Sequence, residues 1–180
     1  MIEITKYLQT VYEDLQRYVD NDVCLCKFKE LNFEAGALPD YEDINIQQLY
    51  LLRYAFAYAF EYSRMYLDVL SQMDGVNGIS VTSVGCGSMI DYWSLVHALE
   101  MKRKIDCSIR YVGIDKIDWS YKIPKRQNDE VHYLIGNAAD VFAHNSQFIS
   151  NVYFFPKSIS EFSDGCLLYT SPSPRDVEES

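Results

Sequence analysis

Three features predict an α/β fold, a parallel sheet preceded by an α-helical N-terminal cap. First, Ile79 to Val84 is a β-branched run entering a Gly85-Cys86-Gly87-Ser88 turn, and a second apolar run ends in an acid, Tyr111-Val112-Gly113-Ile114-Asp115. Second, the short apolar runs Val131 to Ile135 and Val152 to Phe155 continue the alternation of strands with helical patterns, which implies parallel strands with helices on both faces. Third, residues 1–74 carry helical periodicity and a loop but no strand pattern.

Taken in order, Ile4, Leu8, Val11, Leu15 and Val19 recur at helical spacing, so residues 2–19 form an amphipathic helix that needs a surface to lie on. Residues 23–42 lack a clean period, and Gly36 with Pro39-Asp40 marks a connector. Asp43 or Asn45 can cap a long helix from Ile46 to Met73. Leu49, Leu52, Phe56, Phe60 and the Leu67–Leu70 end make its expected buried stripe. Tyr50, Tyr54, Tyr58 and Tyr62, four residues apart, make a second row beside it, expected as core packing with hydroxyls at the rim, the alternative being the lining of a ligand pocket. Asp74-Gly75 and Asn77-Gly78 turn into the first strand, and a helix from Met89 to Lys104 follows the glycine turn. Gly136-Asn137-Ala138-Ala139-Asp140 opens a short helix, and Pro156-Lys157-Ser158 turns into another near Ser158 or Ser160, where Glu161 can complete a capping box.

The totals narrow the function classes. A net charge of −10 opposes broad attraction to nucleic acid or an anionic membrane, since both reward clustered Lys and Arg. The two basic groups, Lys102-Arg103-Lys104 and Lys122 with Lys125-Arg126, read as solvated loop or helix ends. Five Cys, no secretory signal and no long apolar run give a cytoplasmic expectation and no membrane partner. Cys24-x-Cys26 is too tight for a zinc pair, and His97, His132 and His144 form no metal set.

The stretch from Cys166 to Asp176 resembles the translation of a sequencing-library adapter, and Val177 to Ser180 reads as its continuation. Residues 166–180 are therefore set aside as an adapter-derived, disordered tail. The organisation expected is a helical cap over 1–74 and a partial sheet domain over 75–165, with the natural chain interrupted near Gly165.

In an open parallel sheet the ligand crosses the carboxyl ends of the strands. Those ends carry Gly85-Cys86-Gly87-Ser88, Asp115, Gly136-Asn137 and Phe155-Pro156-Lys157. Two glycines allow close backbone approach, and a carboxylate ending the second strand can accept both hydroxyls of a ribose. A dinucleotide fingerprint requires a third glycine where this chain has Ile90, and no Gly-Lys-Ser/Thr provides a P-loop. Both absences leave a ligand without a pyrophosphate.

Over about residues 76 to 163 the chain resembles the class I S-adenosylmethionine-dependent methyltransferases. Val84-Gly85-Cys86-Gly87-Ser88 looks like the first motif of that family, Tyr111 to Asp115 like its second, and Ile135-Gly136-Asn137-Ala138-Ala139-Asp140 like the segment after its third strand. Ser83 stands where the family often has an acid, and Met89 where a third glycine is common. The resemblance implies a Rossmann-like sheet of which the first four strands are present, with the edge of the fourth exposed. It also implies S-adenosyl-L-methionine as cofactor, contacted by Gly85, Cys86, Gly87, Ser88, Asp115, Lys116, Asn137, Ala138 and Phe155. The reaction it implies is methyl transfer to an unidentified acceptor, with Lys157, Glu161 and Tyr92 as catalytic candidates and Asp91 as a further acceptor contact. The competing expectation is a non-catalytic module of the same fold that binds an adenosyl ligand or another protein.

Overall fold

Spacings of four, three and four residues turn Ile4, Leu8, Val11 and Leu15 onto one side of the first helix, α1 (Ile4–Val19), and all four are buried. The computed structural model describes residues 3–19, 39–73, 77–144 and 149–156. The surface under α1 is the long helix α2 (Ile44–Ser71), whose N-cap is Asp43; its carboxylate accepts the Asn45 N–H at 2.8 Å.

The buried stripe of α2 includes Leu49 and Leu70 of the expected one but differs from it in the middle. Leu51, Ala55, Ala59, Tyr62, Tyr66 and Leu70 face inward, whereas Phe56 and Phe60 are 45% and 68% exposed. Small side chains decide this, because Ala55 and Ala59 let α2 approach the next helix closely. At the crossing, Ser94 Oγ donates to the Ala59 carbonyl at 3.1 Å. Hydrophobicity alone had put the two phenylalanines on the packed side, where their volume would have held the helices apart. The tyrosine row packs as a ladder, with ring centroids 5.2 Å apart for Tyr50–Tyr54, 5.5 Å for Tyr54–Tyr58 and 5.7 Å for Tyr58–Tyr62.

Four strands follow, β1 (Gly78–Val84), β2 (Ser108–Asp115), β3 (Glu130–Ile135) and β4 (Val152–Phe154), in the order β3-β2-β1-β4 and all parallel. Side-chain alternation splits β1 and β2 between two cores. Ile79, Val81, Ile109 and Tyr111 pack with α2 and with α3 (Ile90–Met101), which runs shorter than expected at both ends. On the opposite face Val84, Val112 and Ile114 pack against Ala138 of α4 (Ala138–His144). An α/β fold with a helix-flanked parallel sheet is therefore present, and among the described residues β3 and β4 are its edges.

No helix is long and apolar enough to cross a membrane among the described residues. Cys24 and Cys26, the loop over 23–38, Lys157, the helix expected near Ser158, Glu161 and the tail over 166–180 lie outside the described residues.

Candidate functional site

Strand order fixes where a ligand could enter. The connection from β1 through α3 leads to β2 on one side, while that from β3 through α4 leads to β4 on the other. The two connections lie on opposite faces of the sheet and the strand order reverses between the adjacent strands β1 and β4. In sheets of this kind the crevice outside the carboxyl ends at such a point is the usual ligand site. The Gly85–Ser88 turn forms one lip of it, and Phe155, exposed at the end of β4, forms the other.

Local hydrogen bonding explains the shape of the turn. Ile114 O of β2 accepts Gly85 N–H at 2.7 Å and Cys86 N–H at 3.3 Å, which anchors the turn to the neighbouring strand. Gly85 and Gly87 take φ of 74° and 52°, in the left-handed region where a glycine avoids the Cβ penalty. Met89 bears that penalty at φ 68°, where it starts α3 without a side-chain cap.

Asp115 clamps the same turn. Its Oδ2 accepts the Gly87 N–H at 2.7 Å and its Oδ1 accepts the Ile117 N–H at 3.0 Å. Each oxygen keeps a second acceptor position, so the carboxylate can hold the turn and still receive hydroxyl donors. Burial pushes its pKa up, against the pull of the Ile117, Gly87 and Lys116 N–H groups.

The other expected contacts divide into outward and inward groups. Lys116 is exposed beside Asp115. Asn137 is exposed at the end of β3, where its Oδ1 caps α4 by accepting Ala139 N–H at 2.9 Å. Three strand spacings separate the β3 and β4 ends, about 14 Å, so Asn137 and Phe155 can meet only different parts of one extended ligand. Cys86, Ser88 and Ala138 turn inward. A Cβ on Gly113 would stand 2.7 Å from Cys86 Sγ, and burial pushes the Cys86 thiol well up. Ala138 is buried in the α4 core, and Ser88 acts through its carbonyl, which accepts Ile123 N–H at 2.9 Å.

Asp91 and Tyr92 do not reach the surface where an acceptor would bind. Asp91 is fully buried between α3 and the sheet, with Tyr111 Oη donating to both carboxylate oxygens at 3.0 Å. Burial raises its carboxyl to about 6, opposed by its hydrogen bonds. The Ser83 hydroxyl lies beside it and also lowers it, although Ser83 Oγ is buried and meets no partner in hydrogen-bond geometry. Tyr92 Oη donates to Asp129 Oδ2 at 2.6 Å and accepts the Arg126 N–H at 2.9 Å.

Arg126 is likewise no solvated cation. Its Nε and Nη2 hold Asp129 at 2.8 and 2.9 Å, and Nη2 also donates to the Cys107 carbonyl at 2.9 Å. Lys122 pairs with Asp118 and lies 4.4 Å from the Tyr133 ring centroid.

Sequence reasoning missed the segment joining β2 to β3, residues 116–129, which straps the helical part to the site. Ser120 N–H donates to Gln47 Oε1 at 2.9 Å, and Gln47 Nε2 donates to the Tyr41 carbonyl at 2.8 Å. Tyr121 Oη accepts from Gln48 Nε2 at 2.6 Å and donates to Asp14 Oδ2 at 3.2 Å, while Tyr7 Oη donates to the Tyr121 carbonyl at 2.9 Å. Trp119, 5% exposed, is thereby laid over Gly87 and packed on Tyr41 and Tyr50, each with its centroid 5.5 Å away. Trp119 and Tyr121, with Ile117 and Ile123 beside them, in a loop without a strand or helix pattern were the signal available. On the outer side of the strap an open groove of about 570 Å³ runs along α1, lined by Lys6, Tyr7, Tyr121 and Lys122 among others.

Among the described residues no group of three His, Cys, Asp or Glu is arranged to hold a metal. Comparison with protein-family models, with curated proteins and with solved structures found no significant match to the chain.

Proposed function

We propose that the chain binds S-adenosyl-L-methionine across the carboxyl ends of β1 and β4, within a Rossmann-like sheet, and transfers its methyl group to an acceptor. One observation carries the reading: a two-glycine turn with left-handed φ at both glycines follows β1 where the strand order reverses between β1 and β4, clamped by a carboxylate that keeps acceptor capacity. A ribose suits that carboxylate, and the absence of a third glycine at Ile90 disfavours a pyrophosphate. Methyl transfer from a sulfonium is an in-line displacement, in which the bond from sulfur to methyl breaks as the acceptor takes the methyl. The protein's contribution is proximity and orientation.

Titration calorimetry with S-adenosyl-L-methionine and with NAD tests the reading. Saturable binding of the first without the second supports it, and no binding heat from S-adenosyl-L-methionine sinks it. A second reading, an adenosyl-ligand-binding or protein-interaction module without turnover, is favoured by Trp119 lying against Gly87, which narrows the crevice. Binding that persists while no methyl reaches any candidate acceptor selects that reading.

A further inference from the structure

Trp119 comes from neither of the two strands that frame the crevice, yet its ring edge lies against the glycine turn. A Cβ on Gly87 would stand 3.5 Å from the indole Cε2 and Cζ2 and 3.8 Å from Nε1. No group the size of a sugar or a base fits in that gap. The ring also packs on Tyr41 and Tyr50, whose own centroids are 5.4 Å apart, so the indole is held by two further aromatic rings. Its carbonyl is engaged by Lys122 Nζ at 2.7 Å, while its indole N–H has no acceptor among the described residues. Although the residue is 5% exposed, its N–H is not one of the buried polar groups without a partner and stays open to solvent beside the turn, where a ligand oxygen or ring nitrogen can reach it.

From this geometry we infer that Trp119 is a wall of the ligand site and contacts the adenosyl ligand directly, donating its indole N–H to it. The inference rests on the adenosyl reading of the crevice and deepens it. The helical N-terminal part then belongs to the cofactor site, because Tyr41, Tyr50 and Gln47 hold the strap that carries the indole. A ligand seated on Gly85–Gly87 lies along the indole edge or pushes it aside, and either event changes the emission of Trp119.

The chain has two tryptophans, so Trp93→Phe makes Trp119 the sole indole reporter without touching the turn. Titrating this protein with S-adenosyl-L-methionine is expected to change tryptophan emission along the calorimetric isotherm. Trp119→Phe, checked for folding by its thermal melt, is expected to abolish the emission change and weaken the calorimetric affinity at least tenfold. If that variant does not fold, the Trp93→Phe titration decides alone. Binding heat with no emission change in Trp93→Phe, or unchanged affinity in Trp119→Phe, overturns this inference and leaves the adenosyl reading standing. No binding heat in the unaltered protein overturns both.

Discussion

Two strand-helix-strand units built on one plan share the sheet, and they differ in how much of the molecule covers them. In the first, β1-α3-β2, the strands have seven and eight residues, the helix has 12, and Val81, Tyr111, Leu95 and Leu99 are fully buried. In the second, β3-α4-β4, the helix has seven residues and β4 only three, with Ile135 58% and Tyr153 48% exposed. Where β4 joins the sheet, Phe154 packs on Tyr66 and Tyr62 with ring centroids 4.9 and 5.1 Å away, and polar bonds add to this: Asn151 Oδ1 accepts the Ser80 N–H and hydroxyl, both at 2.9 Å, and the Thr82 and Ser150 hydroxyls lie 2.7 Å apart. The lesson is that α2, more than the plan of the units, decides which one is more deeply buried. By lying on α3 it lets the first unit bury polar groups that the second could not hold.

The largest effect that distinguishes the units is expected at Asp129. Its carboxylate ties α3, β2 and the strap together through Tyr92, Ile109 N–H and Arg126. Asp129→Ala leaves a partly buried guanidinium and a buried phenol without their acceptor, and a loss of about 3–5 kcal/mol is expected. Urea unfolding measures it, and a loss below about 1 kcal/mol would show that the triad is not what holds the first unit.

A somewhat smaller effect, with opposite sign, is expected at Asp91. Burial holds this carboxyl at about 6, above the 3.8 of an unfolded aspartate, so the native state keeps its proton over the interval between them. Stability through this group is therefore greatest below about pH 4 and falls as pH rises to about 6. Asp91→Asn is expected to stabilise the protein above pH 6, by at most about 3 kcal/mol, with the difference vanishing in acid. Denaturant midpoints from pH 4 to 8 check this, and a variant less stable than the parent at pH 8 would contradict it.

The smallest effect is expected in the second unit. Phe142 of α4 is only partly buried, 6.4 Å from the Tyr153 ring centroid, and Phe142→Ala should cost roughly 1 kcal/mol. A loss matching that of Asp129→Ala would erase the contrast between the units.

The glycine turn, the acid ending β2 and all four strands were legible in the sequence, because each is set by local pattern: β-branched runs, two glycines and a terminal carboxylate. The middle of the inward face of α2 was not, since Ala55 and Ala59 matter through a helix crossing that no single-helix pattern contains. Asp91 carries nothing in its neighbours to distinguish a surface acid from one buried under Tyr111, 20 residues away. Arg126 read as solvated because its acceptors, Asp129 and the Cys107 carbonyl, come together only when the strap folds back along β2. The strap itself has no period, and its partners Gln47, Gln48 and Asp14 are 73 to 107 residues distant in sequence.

The central claim is that the ligand is held at the turn between β1 and β4 and not in the groove along α1. Amide hydrogen exchange with and without saturating S-adenosyl-L-methionine tests it most directly. Slowed exchange concentrated at residues 85–88 and 115–119 is the predicted result. Binding that leaves those amides unchanged, or that protects residues 6–10 and 120–124 instead, would contradict it.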